Sequence, residues 1–226
     1  MFRAAAVLFT IASISTAAQT FEVASIKPSA PGARGPTIYN PTQSRFAISA
    51  ITLKSLVAYA YDVRDFQISG GPKWLDTDQF EIVAKPEGPV TSERILAMTR
   101  SLLAERFALK LHRESKEMPV LALQIAKGGP KLQPATGTGP EVRGGKGRLV
   151  AKNVTMAMFA AQLAARVLDR PVLDRTGLAG EFDIQLEWSP DDLFASLQEQ
   201  LGLKLEAQKG QVEVWVIDHA ERPSAN

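Results

Sequence analysis

Apolar positions recur at helical spacing twice along this chain, and each time an alternating strand comes first. Residues 45–50 read RFAISA, with Phe46 and Ile48 on one face. Leu53, Leu56, Val57 and Ala60 follow at i, i+3, i+4 and i+7, the stripe of an amphipathic helix. Residues 148–153 read RLVAKN, and Met156, Phe159, Ala160 and Leu163 repeat that stripe behind them. Thr52 and Thr155 stand where helix N-caps belong. Two short strands are expected next in each half, the second being residues 80–84 and 182–186. A second helix then starts near Thr91, carrying Ile95, Met98, Leu102 and Leu103. Its counterpart has Ser189 as N-cap, Pro190 in the first turn, and Asp191 and Asp192 at the positive end of the helix dipole. Two strands in hairpin order close each half: residues 109–112 with 120–125, and 203–206 with 212–217.

Phe80-Glu81-Ile82 returns as Phe182-Asp183-Ile184, and Leu109-Lys110-Leu111 returns as Leu203-Lys204-Leu205. The offset between copies changes mainly ahead of the second helix and again in the last turn. Insertions confined to loops are what an internal duplication leaves behind. The fold expected is therefore α+β: two tandem β-α-β-β-α-β-β repeats, each a small sheet packed by two helices. Repeat 1 is assigned to residues 45–126 and repeat 2 to residues 148–218. Residues 19–44 form an N-terminal strand and a Pro/Gly-rich loop. Residues 127–147, which contain GGP, PATGTGP and RGGKG, read as a linker. The tail, residues 219–226, should fray.

The first 18 residues have a different pattern. Arg3 precedes an apolar run from Ala4 to about Ile14, and Ser15, Thr16, Ala17 and Ala18 follow. That is the layout of a cleaved secretory signal, too short to span a bilayer as a helix. The expected location is outside the cytoplasm, periplasmic or extracellular. No later segment has about 18 consecutive apolar residues, so no transmembrane segment is expected after cleavage. The chain has no cysteine, which excludes disulfides, zinc-thiolate sites and cysteine nucleophiles together. A formal charge of +2 over 226 residues, with both signs interspersed, makes no case for nucleic acid.

Catalytic patterns are sparse. His112 and His219 are the only histidines, at non-equivalent places and without metal spacing. Arg175-Thr176-Gly177 lacks the companion motifs of penicillin-recognising enzymes. Arg143-Gly144-Gly145-Lys146-Gly147 lacks the glycine spacing of a phosphate loop. Asp76 with Asp78, or Asp169 with Asp174, are candidate carboxylate pairs, although Asp in such places is most often a turn former. Trp215 reads as core. Trp74 and Trp188 flank turns, where an aromatic either packs or anchors a ligand. No cofactor and no metal are expected. Trp74, Asp76, Arg143, Asp174 and Arg175 are the candidate ligand-binding residues.

Each half resembles, in its element order, the short N-terminal domain of secretins and TonB-dependent receptors. The segments FEVASIKPS (21–29), FQISGGPKWL (66–75), LLAERFALKLHRE (102–114), LDRTGLAGEFDIQLEW (173–188) and VIDHAERPSAN (216–226) resemble a soil-associated exported family of unknown function expanded in acidobacteria. That resemblance implies no activity; the repeat architecture and the missing catalytic set lead to the expectation of an envelope protein that binds a peptide, a glycan or a partner protein without catalysis, by strand addition or between the repeats. A rival expectation is a carboxylate-based envelope hydrolase using Asp76, Asp78, Asp174 and Glu181. A third is a sensory or assembly module for a membrane partner.

Overall fold

Two four-stranded sheets, each with its own helices, flank a third sheet that both halves of the chain build. The computed structural model describes residues 19–42, 45–86, 88, 90–145 and 147–224. The signal segment expected at residues 1–18 and the last two residues of the tail lie outside the described residues. In chain order the first half contributes β1 (Phe21–Pro28), β2 (Thr37–Thr42), β3 (Arg45–Thr52), α1 (Leu53–Tyr61), β4 (Ile68–Gly70), α2 (Trp74–Thr77), β5 (Gln79–Pro86), α3 (Ser92–Arg106) and β6 (Lys110–Ile125). The second half contributes β7 (Gln133–Pro134), β8 (Glu141–Gly145), β9 (Arg148–Val154), α4 (Met156–Leu163), β10 (Val172–Asp174), β11 (Phe182–Glu187), α5 (Leu193–Leu201) and β12 (Leu203–His219). The class is mixed α+β.

The first sheet runs β1-β5-β3-β2 and the sheet of the second half runs β7-β11-β9-β8. Alternation sets the buried face. Phe46, Ile48, Ile82 and Ala84 point inward against Leu56, Leu103 and Phe107. In the second half Leu149, Ala151, Ile184 and Leu186 meet Phe159, Leu163 and Leu197. The Gly/Pro-rich stretches do more than connect. Residues 29–43 include β2, and residues 127–147, expected as a linker, supply β7 and β8 to the second sheet.

The same local device recurs at the end of β3 and of β9. Ala50 (φ 51) and Asn153 (φ 51) take a left-handed conformation, and the strand register slips beside each. The slip turns Thr52 and Thr155 into the following helices. Their hydroxyls accept from the amides of Ser55 and Met158, both at 3.2 Å, as N-caps do. Thr91 caps α3 in the same way, accepting from Arg94 N–H. α5 starts later than its sequence implies. Ser189 C=O accepts the Asp192 amide at 3.0 Å in a turn, and the helix begins at Leu193.

The hairpins expected at the end of each half do not form. β6 and β12 are each one unbroken strand, and they pair with one another antiparallel from Leu203↔Ile125 to His219↔Lys110. The reason is local chemistry. Residues 113–119 read RESKEMP, with no Gly, Asn or Asp to turn on, and Pro119 is taken into β6 opposite Lys209. Gly210 is extended opposite Met118, and a Cβ there would fall 2.6 Å from Leu173 Cδ1. It is small to admit the Leu173 side chain, which reaches across β6 from β10, rather than to make a turn.

The shared sheet runs β10-β6-β12-β4. β4, from the first half, pairs parallel with β12 (Ile68↔Trp215), while β10, from the second, pairs parallel with β6 (Val172↔Leu121). The closing strands are thus exchanged between the halves instead of completing each one separately. Phe66, from the first half, packs against the core of the second.

The tail expected to fray is held as far as Arg222. The Glu221 amide donates to Phe107 C=O at 2.7 Å, and the Arg222 guanidinium lies 5.1 Å from the Trp74 ring centre. Arg222 Nε also donates to Asp78 Oδ2 at 2.8 Å.

Candidate binding groove

α1 ends at Asp62 in the left-handed region (φ 52), its amide donating to the Ala58 and Tyr59 carbonyls. α4 continues through a π-helical turn, Ala164–Leu168, and ends at Asp169, also left-handed (φ 47). Aspartate tolerates this conformation better than most residues. Wide π turns occur often at functional sites. Both helix ends line one groove of about 1060 Å³ between the halves. Gln211, Val212 and Glu213 of β12 run through it.

The first half contributes Tyr59, Asp62, Arg64, Asp65 and Gln67, and the second contributes Gln162, Arg166 and Asp169. Gln67 fixes its own corner: its Oε1 accepts from the Arg64 amide at 3.2 Å and its Nε2 donates to Glu213 C=O at 3.3 Å. Arg166 is engaged by its own wall, donating from Nε to Gln162 Oε1 (2.6 Å) and from Nη1 to Gly144 C=O (3.3 Å). Burial raises the Tyr59 phenol above its ordinary value, so it stays a neutral hydrogen-bonding group. Among the described residues, Asp62, Asp65, Asp169 and Glu213 have no ion-pair partner. The groove therefore holds four free carboxylates and two guanidinium groups, one of them already bonded. Chemically it is a polar, acid-rich slot on one exposed strand, suited to accepting donors and cations.

The residues singled out from the sequence lie elsewhere. Trp74 is half-buried on the first core, edge-on to Phe80 at 6.4 Å. Asp76 pairs with Lys54 at 3.0 Å and Asp78 with Arg222. Arg143 is exposed and paired with Glu141 on β8. Asp174 Oδ1 accepts from the Thr176 amide (2.9 Å) and hydroxyl (2.8 Å), an Asx turn. Arg175 is exposed, its amide bonded to Leu123 C=O at 2.9 Å. Glu181 is exposed, its carbonyl accepting from Ala135 N–H.

Asp76 and Asp78 follow β4, at the Ile217 end of the β6–β12 ribbon, whereas Asp174 sits on β10 opposite Leu123. Leu111 pairs with Ile217 and lies twelve residues of β6 from Leu123, about 40 Å of extended chain. These carboxylates do not converge on one site. Nor do the histidines: His112 Nδ1 meets Asp218 at 2.9 Å and His219 Nε2 meets Glu221 at 2.9 Å. Trp215, expected in the core, is half-buried between Arg113 (4.7 Å) and Tyr61 (4.7 Å) on the ribbon. Trp188 packs on the second core.

Of the groove residues only Asp169 was picked out from the sequence, paired there with Asp174. The available signal was an Asp just past each first-helix stripe, at a C-cap position where left-handed backbone is common. Arg64, Gln211 and Glu213 carried none.

Fold and groove together describe a mixed α+β protein with an open inter-half slot; no described helix is long and apolar enough to cross a membrane. A family described as Protein of unknown function (DUF3738) matches residues 54–220, most of the chain, and the protein belongs to that family. No curated protein and no solved structure matches the chain.

Proposed function

We propose that this protein is an exported, non-catalytic binding protein of the cell envelope, and that the inter-half groove is its binding site. One observation from the sequence supports export: the signal-like first 18 residues. The resemblance to an exported soil-associated family points the same way. The resemblance of each half to the secretin short domain supports an origin by duplication, and so do the paired bulges at Ala50 and Asn153. The observation that carries the binding role is the groove itself. Exchanged strands tie both halves to one ribbon, and a slot of about 1060 Å³ lies between them, at the upper limit of the size of ligand sites.

The test is site-directed photo-cross-linking in envelope preparations of a producing strain. A photoreactive residue replacing Gln211 captures a partner, and the additional change Ala161→Trp, which fills the slot, abolishes that capture. Equal capture from Gln185, on the far-off β11, overturns the reading. Turnover of a cell-wall substrate that Asp169→Asn abolishes overturns the non-catalytic part of it. N-terminal sequencing of the recovered protein checks export, with cleavage expected after Ala17 or Ala18.

A further inference from the structure

β12 has an open edge inside the groove, and the groove around it is acidic. β4 covers the outer edge of β12 only from Trp215 to Ile217. The opposite edge is paired with β6 along its full length. Among the described residues, no strand pairs with the outer edge between Leu205 and Val214.

The direction of the free groups follows from one hydrogen bond. Glu213 turns its carbonyl outward, because that oxygen accepts from Gln67 Nε2 at 3.3 Å. Alternation in an antiparallel pair sends both backbone groups of every second residue to the same side. Lys209 and Gln211 therefore present their N–H and C=O outward as well, and both residues are exposed. An exposed edge of this kind is a template for another strand. Residues 207–213 extend over about 23 Å, room for a strand of ordinary length.

We propose that this edge receives an extended, lysine- or arginine-bearing segment of a partner protein as an added strand. The proposal rests on the groove reading above and specifies its ligand. Main-chain bonding to residues 207–213 supplies affinity, and side chains at alternate positions supply selectivity. Asp62, Asp65, Asp169 and Glu213 line the groove beside the strand site against only two cations, Arg64 and Arg166, the latter already bonded to its own wall; the groove carries an excess of two negative charges while the chain as a whole carries +2. The negative excess is thus local, and it favours cationic side chains over neutral or acidic ones. The strand that β12 already holds ends just beyond the site. The turn at Asp65–Gln67 leads directly into β4, so an added strand abuts Gln67 and Asp65.

The test uses the full mature chain and fluorescence anisotropy of a short labelled peptide alternating Lys and Val. Three companion probes are compared with it: the Glu/Val peptide, and Lys/Val peptides N-methylated on one or the other set of alternate amides. The Lys/Val peptide binds, the Glu/Val peptide does not, and affinity falls with added salt. N-methylation of the bonded set weakens binding by about tenfold or more, since it removes strand hydrogen bonds without changing charge. Asp65→Asn with Asp169→Asn weakens the Lys/Val peptide and spares the fold, as circular dichroism checks. No binding of the Lys/Val peptide, equal binding of Glu/Val, or indifference to both methylation patterns overturns the proposal. If it falls while Gln211 cross-linking still depends on an open slot, the groove reading survives without strand addition.

Discussion

The Ala50 amide donates to Glu81 Oε1 at 3.1 Å, bridging a left-handed residue on β3 to the carboxylate of the paired strand. The second half repeats the bond: the Asn153 amide donates to Asp183 Oδ1 at 3.1 Å. A bulge frees a backbone donor from the ladder, and in both halves a carboxylate on the neighbouring strand satisfies it. Glu81 also accepts from Ser29 Oγ at 2.9 Å, so one side chain on β5 ties β3 to the residue that follows β1.

Glu81→Ala is therefore expected to destabilise the protein by about 1–3 kcal/mol, the cost of leaving a partly buried amide without its partner. Glu81→Gln keeps an acceptor oxygen and loses less. Denaturant unfolding curves of the two variants measure the difference. Equal stability of wild type and Glu81→Ala removes the carboxylate from any structural role.

The second helices end differently in the two halves. α5 ends at Gly202 (φ 64), where a Cβ would fall 1.9 Å from Gly129 C=O. The matching position after α3 is Ala108, left-handed at φ 46, with Leu109 N–H reaching back to Leu103 C=O at 3.3 Å. Alanine is strained there and glycine is not. Ala108→Gly is expected to stabilise by up to about 1 kcal/mol. Gly202→Ala is expected to destabilise by more than that, through strain and collision together. Thermal melts of both variants check opposite signs for two formally equivalent sites.

The exchanged strands make the halves interdependent. A fragment of residues 19–126 lacks β12, on which β4 pairs, and a fragment of residues 127–224 lacks β6, on which β10 pairs. Neither is expected to show a cooperative unfolding transition alone, because each leaves the long edge of its final strand bare. Mixed, they are expected to form a stable one-to-one complex. Size-exclusion chromatography and hydrogen exchange measure both outcomes. Two independently folded fragments that ignore one another contradict the shared sheet.

Local patterns were legible in the sequence wherever a side chain acts within its own element. The stripe at Leu53, Leu56, Val57 and Ala60 predicts α1, and Thr52 and Thr155 predict the caps of α1 and α4, because N-capping needs only the next three amides; Ser189, read the same way, stands in a turn ahead of α5. The endings of the two halves were not legible. Residues 109–125 and 203–217 have alternation that serves a hairpin and a single long strand equally, and only a turn residue in the middle tells them apart. In the second half Gly210 lies in that middle, but it is extended and admits the Leu173 side chain from a strand distant in sequence.

The groove has the same origin. Asp62 and Asp169 are helix caps in isolation, and Gln211 and Glu213 are ordinary exposed positions on a strand. They form one acidic slot because β12 pairs with β6 and β4, drawing the ends of α1 and α4 beside it. By itself the sequence determined α1, α3 and α4, the threonine caps of α1 and α4, the alternating strands and the mixed α+β class, all set by periodicity and neighbouring hydrogen bonds. Tertiary structure alone decided the strand exchange, the docked tail and the groove. Those depend on which backbone edges meet, and an edge carries the same amides and carbonyls whatever its side chains are.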